Sequence, residues 1–484
     1  MEPVTEPELR GGTLGVADIA FFVISAAAPL MILAGVAPYA ILVGGVGAPS
    51  AYLIAGIVLT VFAVGFTTMS RHVTDAGAFY AYVTKGLGRP AGVSAAVLAL
   101  MSYNAVQIGM YGLLGSAAQS TFRSLFGLDL PWPVYALAGV ALVWFAGYRS
   151  IEFGAKLLGV LMVAESGVLV LLAGAVLVKG GAHGLDLQSY APKQVFNGST
   201  SSLLVFAFAA FMGFESTVIY RSEARDPRRT VPRATYVAVA FLGLFYSFVA
   251  WAVIQGFGSG QVQAAAAKDP AGLLFTEMDG YVGRWATDLM HLLILSSALA
   301  SLLAFHNAIN RYTRAIASEG MLPARLGAVH PRTGSPFVAG GLQTLLSAVV
   351  VAAFAIAGLD PYLKLLIWVN TPGVIGLVLL QVAVAVAVPV YFRRVDHTEG
   401  LLRTVVAPVL AALGMATALY LMISKIALLT GASDTVNTVL VGLVPVMVLA
   451  GLALAWWLRS ARPQVYARLG AEAPPVKEAE RVHS

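Results

Sequence analysis

Two carboxylates lie in the middle of long apolar runs of this sequence, Glu165 in LLGVLMVAESGVLVLLAG and Glu215 in VFAFAAFMGFESTVIY. A charged side chain at the centre of a membrane costs about 2.5–3.5 kcal/mol on insertion scales, and desolvation favours the protonated form. A carboxyl that is neutral in one conformation and charged in another carries a proton. We therefore predict proton coupling through Glu165, with a buried, hydrogen-bonded packing role as the alternative.

The same apolar runs contain two interruptions. The first is a set of four tiny residues directly before Pro29: Ser25, Ala26, Ala27 and Ala28. The second is formed by Gly213 and Glu215. Proline and glycine disrupt regular helix, and unpaired backbone groups persist at membrane depth only where they face protein, water or a ligand. A proline kink without a ligand explains the first interruption when it is taken alone.

Bare N–H and C=O groups at an interrupted helix match the carboxylate and ammonium of an amino acid. We therefore predict that both interruptions bind such a substrate, with Phe211 and Phe214 closing over it as an aromatic gate. Packing alone explains these two rings equally well. Glu215 is expected to cap the half-helix amides or to respond to protonation.

A third candidate surface lies in SYNAVQIGMYG, where Tyr103, Gln107 and Tyr111 follow one another at intervals of four residues. This spacing stacks them on one face of a helix, with Asn104 beside them. A polar and aromatic face inside an apolar helix is suited to a substrate cavity. Hydrogen bonding between helices is the alternative, because such bonds commonly join helices in membranes.

Composition determines where these residues must lie. Of the 484 residues, 58% are hydrophobic and 11% are charged, against about 25% charged in ordinary soluble domains. The chain is therefore an integral membrane protein, read as one all-α polytopic unit. The sequence contains no cysteine, which excludes disulfides, thiolate catalysis and cysteine metal sites.

A membrane-spanning helix needs about 20 apolar residues, and we predict twelve. Their positions are 14–43, 49–70, 91–121, 133–149, 151–179, 198–222, 232–256, 284–317, 337–358, 361–391, 403–429 and 435–459. Most of the 30 Lys and Arg residues fall in loops on the side of the N-terminus. By the positive-inside rule, we expect a multi-pass protein of the plasma membrane with both termini cytoplasmic. The basic residues are scattered over short loops, which indicates contact with membrane lipids and no nucleic-acid partner.

If the chain consists of two repeats of five helices, the interruptions in spans one and six occupy equivalent positions. Because each repeat has an odd number of spans, the second repeat has the opposite orientation in the membrane. Paired interrupted helices at corresponding positions are a sequence indication of a transporter's binding site. A further set of charged residues in the N-side loops is expected to form a gate of ion pairs: Arg71, Arg89, Glu223, Asp226, Arg228, Arg229 and Glu319.

The chain resembles permeases of the amino acid–polyamine–organocation (APC) superfamily, especially the actinobacterial type. Three motifs carry the resemblance: the small-residue interruption at 25–29, GFESTVIYRSEARDPRRTVPRAT at 213–235 and NRYTRAIASEGMLPARLGAVHPRTGSP at 310–336. The resemblance implies a LeuT-type fold with helices 1 and 6 broken, two inverted five-helix repeats, two C-terminal helices and alternating access. The implied divisions are a tail at 1–13, repeats at 14–196 and 197–396, helices 11 and 12 at 397–460, and a tail at 461–484.

The resemblance also suggests an ion site. In sodium-coupled relatives, hydroxyls of helix eight help to ligate the ion, which makes Ser296, Ser297 and Ser301 candidates. Serines also bond to their own helix, which is the alternative. Some proton-coupled relatives carry a lysine in helix five near this site, and the comparable position here is Glu165. We favour H+ over Na+ as the coupling ion.

The sequence is thus interpreted as a secondary active transporter for amino acids. A polyamine or organic-cation permease and an amino-acid exchanger stay open, as do a channel and a non-transporting membrane receptor of a different class. We expect no cofactor, no metal site and no enzymatic activity, because no catalytic motif or metal-ligand spacing is present.

Overall fold

The computed structural model describes residues 14–73, 78–149, 155–196, 198–331 and 333–470. The expected N-terminal tail at 1–13 lies outside the described residues, as does 471–484 of the expected C-terminal tail. The described residues are almost entirely helical, and one isolated β-bridge joins Leu14 to Ala224.

Twenty α-helices are found among the described residues. The first ten are α1 (Val16–Ala26), α2 (Pro29–Gly35), α3 (Ala37–Gly44), α4 (Ala48–Met69), α5 (Ala78–Leu87), α6 (Arg89–Phe126), α7 (Trp132–Tyr148), α8 (Ala155–Lys179), α9 (Pro192–Val195) and α10 (Gly198–Ala209). The second ten are α11 (Pro227–Phe257), α12 (Val262–Lys268), α13 (Leu273–Tyr281), α14 (Arg284–Ser318), α15 (Phe337–Ile356), α16 (Ile367–Phe392), α17 (Ala407–Ser424), α18 (Ile426–Thr430), α19 (Asp434–Ala461) and α20 (Pro463–Arg468). A 3-10 helix, Phe214–Glu223, lies between α10 and α11.

Ten segments of the described chain are long and apolar enough to cross a membrane. They are Val16–Gly35, Ala37–Met69, Arg89–Phe126, Gly159–Lys179, Pro227–Phe257, Arg284–Ser318, Phe337–Ile356, Pro361–Phe392, Leu402–Ser424 and Asp434–Ala461. Two shorter apolar helices, Trp132–Tyr148 and Leu203–Val218, coincide with the fourth and sixth predicted spans. The protein is therefore a multi-pass membrane protein, and the count of twelve spans stays a prediction.

The first predicted span is built from three helices instead of one interrupted helix. The chain leaves right-handed helical geometry at Ala28, between α1 and α2, and a distorted residue, Val36 with φ of −117°, separates α2 from α3. Gly45, with φ of 62°, then ends α3 and turns the chain toward α4. The sequence analysis anticipates only the first of these breaks, although Gly35 and Pro38 flank Val36 in the sequence.

The broken segment lies at the centre of the bundle, whereas the last long helix lies at its edge. All seven residues of α2 are buried. By contrast, the buried residues of the 28-residue α19 are Asn437, Val444, Gly451, Ala455 and Leu458. Non-helical backbone at membrane depth is tolerated only inside protein, and this constraint accounts for the central position of α2.

Small residues let the long helices approach closely. A Cβ added to Gly56 of α4 would lie 3.3 Å from the Cα of Gly243 in α11 and 3.4 Å from the Phe211 ring. Close backbone approach of this kind strengthens van der Waals packing between helices in a membrane. The α4–α11 contact therefore provides a rigid wall beside the interrupted helices.

We define the N-side as the end of the bundle where α1 begins, and the far side as the opposite end. On the N-side, the Arg225 amide donates to the Leu14 carbonyl at 3.0 Å, and the rings of Phe22 and Tyr220 stack with centroids 5.5 Å apart. These contacts join α1 to the 3-10 helix, so that the N-side halves of both interrupted helices form one unit.

Candidate functional site

The first interruption is centred on Ala27 and Ala28. Ala28 has φ of 48° and ψ of 69°, and it is the one non-glycine residue with positive φ among the described residues. Pro29 then occupies the first position of α2, where its missing N–H removes no helical bond. A left-handed non-glycine residue costs about 1–2 kcal/mol, and such strain is often found at functional sites.

Protein groups satisfy part of the backbone exposed by this interruption. The Ala27 carbonyl accepts a hydrogen bond from the Tyr246 hydroxyl at 3.4 Å, and the Leu30 amide donates to the carboxylate of Glu165. The hydroxyl oxygen of Ser25 is buried and has no hydrogen-bond partner in the part of the chain that the structure describes. The interruption therefore retains polar groups that a ligand or a water molecule must satisfy.

Glu165 joins three helices that are distant in sequence. It extends from α8, its side chain is 4% exposed, and it accepts from the Leu30 amide at the start of α2. The Ser297 hydroxyl of α14 donates to its Oε2 at 2.8 Å. The carboxylate thus accepts from two donors at the positive end of a half-helix.

The second interruption lies between α10 and the 3-10 helix. Gly213 adopts φ of 101°, a conformation that glycine takes without steric cost. The Gly213 amide donates to Glu215 Oε2 at 3.0 Å, and the Tyr103 hydroxyl donates to Glu215 Oε1 at 2.9 Å. Glu215 thus binds an amide left open by the interruption. A 3-10 run of ten residues is unusually long, and 3-10 geometry within a helix often marks a hinge.

A cavity lies between the two interruptions. The cavity has a volume of about 50 Å³, and a single water molecule needs roughly 10–15 Å³ when its volume is measured in the same way. It is therefore suited to a small ligand. The lining residues are Ala27, Ala28, Met31, Ile32, Val36, Tyr39, Val106, Met110, Val205, Phe206, Ala209, Met212, Ser301, Phe305, Leu366, Ile367, Asn370, Thr371 and Val374.

Aromatic side chains close the cavity on both sides. On the far side, the Tyr39 ring lies 5.4 Å from Phe206 and 6.3 Å from Tyr362, centroid to centroid. On the N-side, the Tyr103 ring lies 6.4 Å from Phe305, and its hydroxyl holds Glu215. The cavity is thus bounded by rings at both ends.

The predicted substrate residues are divided between the cavity wall and the surrounding packing. Ala27 and Ala28 line the cavity. Ser25 and Ala26 precede them in the chain, and Gly213 follows the lining residue Met212. Phe211 packs against Gly56, Gly243 and Tyr246, and Phe214 packs against Phe62 and Phe66. These two rings are fully buried, away from the lining residues.

The polar stripe of α6 faces other helices. Gln107 donates to the Leu302 carbonyl and to the Tyr111 hydroxyl, each at 3.3 Å, and it accepts from Gln343 of α15. Asn104 donates to the carbonyl of Leu100 in its own helix at 2.7 Å. The cavity is lined instead by Val106 and Met110 of the same helix. Substrate contact by the stripe residues stays a prediction that no contact here supports.

The three serines of α14 have different environments. Ser296 donates to the Leu293 carbonyl of its own helix at 2.9 Å. Ser297 binds Glu165, and Ser301 lines the cavity. Among the described residues, no cluster of histidine and acidic side chains could hold a metal ion.

Asn370 and Thr371 of α16 are lining residues that the sequence analysis does not identify. The Asn370 Oδ1 atom is buried without a hydrogen-bond partner, which is an unusual state for a polar atom. The available signal is the segment WVNTPG, where Asn370 and Thr371 precede Pro372 inside an apolar run. Asn370 and Thr371 thus add polar side chains from α16 to the lining of the cavity.

The charged N-side loops are connected differently from the predicted gate. Arg71 Nη1 lies 3.1 Å from Glu399 Oε1, and Arg403 Nη1 lies 3.3 Å from Glu399 Oε2. Arg89 instead donates to the carbonyls of Ala467 and Leu469 beyond α19. Among the other predicted members of the gate, Glu319 accepts a hydrogen bond from the Tyr80 hydroxyl. Asp226 forms an ion pair with Arg229 at 3.7 Å. The side chain of Glu223 lies outside the described part of the structure.

Glu399→Gln is expected to destabilise the protein by about 0.2–1 kcal/mol near pH 7. Burial acts to raise the pKa of Glu399, but the hydrogen bonds and charges of Arg71 and Arg403 outweigh it and hold the pKa below its usual value. The stabilisation is therefore present above the ordinary carboxyl pKa of about 4.3 and is lost as the pH falls through the lowered pKa. Thermal unfolding of both proteins across pH measures this difference.

Asp226→Asn is the matched control, because the Asp226 side chain is 52% exposed and such pairs contribute little. Its melting temperature should follow the wild-type curve at every pH. An E399Q protein that melts with the wild type near pH 7 would contradict the predicted contribution.

Comparisons with known proteins give one family and several relatives. The sequence profile of the family described as amino acid permease matches residues 14–468. An uncharacterized transporter of Mycobacterium tuberculosis is 35% identical over 157 residues, which cover 32% of this chain and 33% of the relative. A second uncharacterized transporter of that organism is 27% identical over 309 residues, 58% of this chain and 61% of the relative.

A functionally named relative is the branched-chain amino acid permease BcaP of Lactococcus lactis. It is 24% identical over 329 residues, which cover 64% of this chain and 69% of the relative. The chain spans about a third of the length of the first mycobacterial relative and about three fifths of the second.

Proposed function

This chain belongs to the amino acid permease family, and on that premise we propose that it is a secondary active transporter for small neutral amino acids. The observation that carries the proposal is the cavity beside the interruption at Ala27 and Ala28. It lies beside the left-handed backbone of Ala28 and is lined by the polar side chains of Ser301, Asn370 and Thr371. A zwitterion needs donors for its carboxylate and acceptors for its ammonium, and this site offers both.

The lining favours an uncharged, apolar substrate side chain. Its polar side chains are Tyr39, Ser301, Asn370 and Thr371, and the described lining includes no acidic residue. A polyamine or an organic cation would be buried there without a counter-charge, which is costly. BcaP is named for branched-chain amino acids, and a small apolar cavity is compatible with side chains of that class.

The proposed architecture is the LeuT-type fold with twelve spans, two inverted repeats of five helices and alternating access. The support is the position of the interruptions in the first and sixth predicted spans, five helices apart. The contacts between α1 and the 3-10 helix hold the N-side halves of the two interrupted helices together, which is compatible with their moving as one body. The basic N-side loops support cytoplasmic termini in the plasma membrane, in contact with anionic lipids.

Protons are the proposed coupling ion, and Glu165 is the proposed carrier. The two groups that contact its carboxylate are donors, the Leu30 amide and the Ser297 hydroxyl. A hard cation such as Na+ needs several oxygen ligands, whereas a carboxylate among donors is suited to titration. Binding of a proton would weaken both contacts and loosen the junction between α2, α8 and α14.

Reconstituted protein should catalyse saturable counterflow of labelled leucine or valine across vesicle membranes. Unlabelled neutral apolar amino acids should compete for the site, whereas arginine and spermidine should not. Counterflow requires a carrier that reorients with bound substrate, so unsaturable flux would indicate a channel. Competition by spermidine would indicate an organic-cation permease, and an absence of both binding and flux would favour a receptor for another ligand.

A further inference from the structure

Glu277 is a buried carboxyl outside the site described above. It lies in α13, the short helix between α11 and α14 on the far side. Glu277 is 3% exposed, and neither of its carboxylate oxygens has a hydrogen-bond partner among the described residues. Buried polar atoms without partners are rare in native structures, and a buried unpaired carboxylate is costly.

The carboxyl lies directly against the backbone of α11. A Cβ added to Gly256 would lie 1.7 Å from Glu277 Oε1, so only glycine leaves room for the carboxyl. The Tyr281 hydroxyl donates to the Gly256 carbonyl at 3.0 Å and fixes the end of α13 on the same turn. Helix α13 also packs on α8, α14 and α2. It therefore covers the far-side half of the first interrupted helix.

The charged groups near Glu277 are engaged elsewhere. On α13 itself the titratable neighbours are Asp279, which is exposed, and Tyr281. From α8, Lys179 Nζ donates to the Tyr281 carbonyl at 2.8 Å. From α14, Arg284 pairs with Asp288 at 2.8 Å, and His291 stacks on Phe275 at 4.1 Å. Neither α2 nor the α11 turn around Gly256 carries a titratable residue.

No partner therefore compensates a charge on Glu277, and burial alone holds its pKa well above the ordinary carboxyl value. The neutral form is the one compatible with a closed α13. When α13 lifts from α11, water reaches the carboxyl and ionisation becomes favourable. Closure and protonation are linked thermodynamically.

We propose that Glu277 is a second proton-binding site, separate from Glu165, whose protonation from the far side closes α13 over α2. At low pH the neutral carboxyl packs against Gly256 and α13 stays closed. At higher pH the carboxylate remains in water and α13 stays open for longer. The site thus adjusts access from the far side to the pH of that compartment.

Hydrogen exchange of peptides that cover Leu273–Tyr281 tests the proposal across pH. After correction for the intrinsic exchange rate, the wild-type opening equilibrium should rise up to tenfold per pH unit above about 4.3, because opening releases one proton. Glu277→Gln should remain as protected as the wild type at low pH and show no such rise. Asp279→Asn, which changes an exposed carboxylate on the same helix, should keep the wild-type slope.

Thermal unfolding distinguishes a sensor from a structural residue. Since the folded-state pKa is raised, the stabilisation by the neutral carboxyl is complete below about pH 4.3 and is lost as the pH rises through the folded value. E277Q and the wild type should therefore melt together near pH 4, with E277Q more stable at higher pH. An E277Q protein with the wild-type exchange slope, or one less stable at every pH, would overturn the proposal. Neither readout requires transport, so counterflow separately tests the permease function.

Discussion

Glu165→Gln should abolish substrate accumulation driven by a pH gradient while leaving counterflow intact. A gradient of one pH unit supplies 1.36 kcal/mol, equivalent to a factor of ten. A carrier that moves one proton per substrate should therefore accumulate substrate about tenfold, and the variant should reach a ratio of one. The glutamine carbonyl retains an acceptor for the Leu30 amide and the Ser297 hydroxyl, but the amide carries no exchangeable charge. Steady-state uptake in proteoliposomes measures the ratio.

Two variants separate coupling from general damage. Ser296→Ala removes a hydroxyl that bonds to its own helix, so tenfold accumulation should persist. Glu215→Gln changes another deeply buried carboxylate, which binds Gly213 and Tyr103, and coupling should persist there as well. If E165Q still accumulates substrate tenfold, Glu165 is a packing residue and the proton carrier lies elsewhere.

Asn370→Leu should raise the dissociation constant of the amino-acid substrate about 10- to 100-fold. The change conserves approximate volume but removes Oδ1, a buried acceptor of a cavity-lining residue that has no hydrogen-bond partner within the described part of the chain. A hydrogen bond to a charged group contributes roughly 1.5–3 kcal/mol, and each 1.4 kcal/mol corresponds to a factor of ten. Ligand-dependent thermal stabilisation or equilibrium binding of labelled substrate measures the loss.

Asn104→Leu is the matched control, because its amide donates to Leu100 within α6 and does not line the cavity. Substrate affinity should stay within about twofold of the wild type. The pair of variants also decides between two assignments of the site. A large loss in N104L with none in N370L would favour the polar stripe of α6 as the substrate surface and would refute the role of Asn370.

Glu165 also relates the two proposed functions of the first interruption. Its carboxylate binds the Leu30 amide, two residues beyond Ala28, which lines the cavity. Protonation would withdraw an acceptor from the start of α2, at the positive end of that half-helix. A change of charge at Glu165 would therefore alter the backbone that borders the substrate.

The sequence by itself determined the features that depend on local chemistry. Its apolar content requires a membrane protein. Four tiny residues before Pro29 and a glycine at 213 mark where helical geometry ends, since these residues alter backbone preferences wherever they occur. The isolated carboxylates Glu165 and Glu215 are equally easy to identify in the sequence, because an ionisable residue within an apolar run is costly and usually has a functional role.

Only the tertiary structure decided which groups meet. Gln107 and Val106 are neighbours on α6, yet one bonds α15 and the other lines the cavity. In a membrane the lipid-facing and the buried faces of a helix are both largely apolar, so hydrophobic periodicity does not identify the face that points inward. Groups of α2 and α14 contact the carboxylate of Glu165. Glu277 is buried because its carboxyl packs against the backbone of α11. Such contacts between distant segments depend on packing, which no local pattern in the sequence encodes.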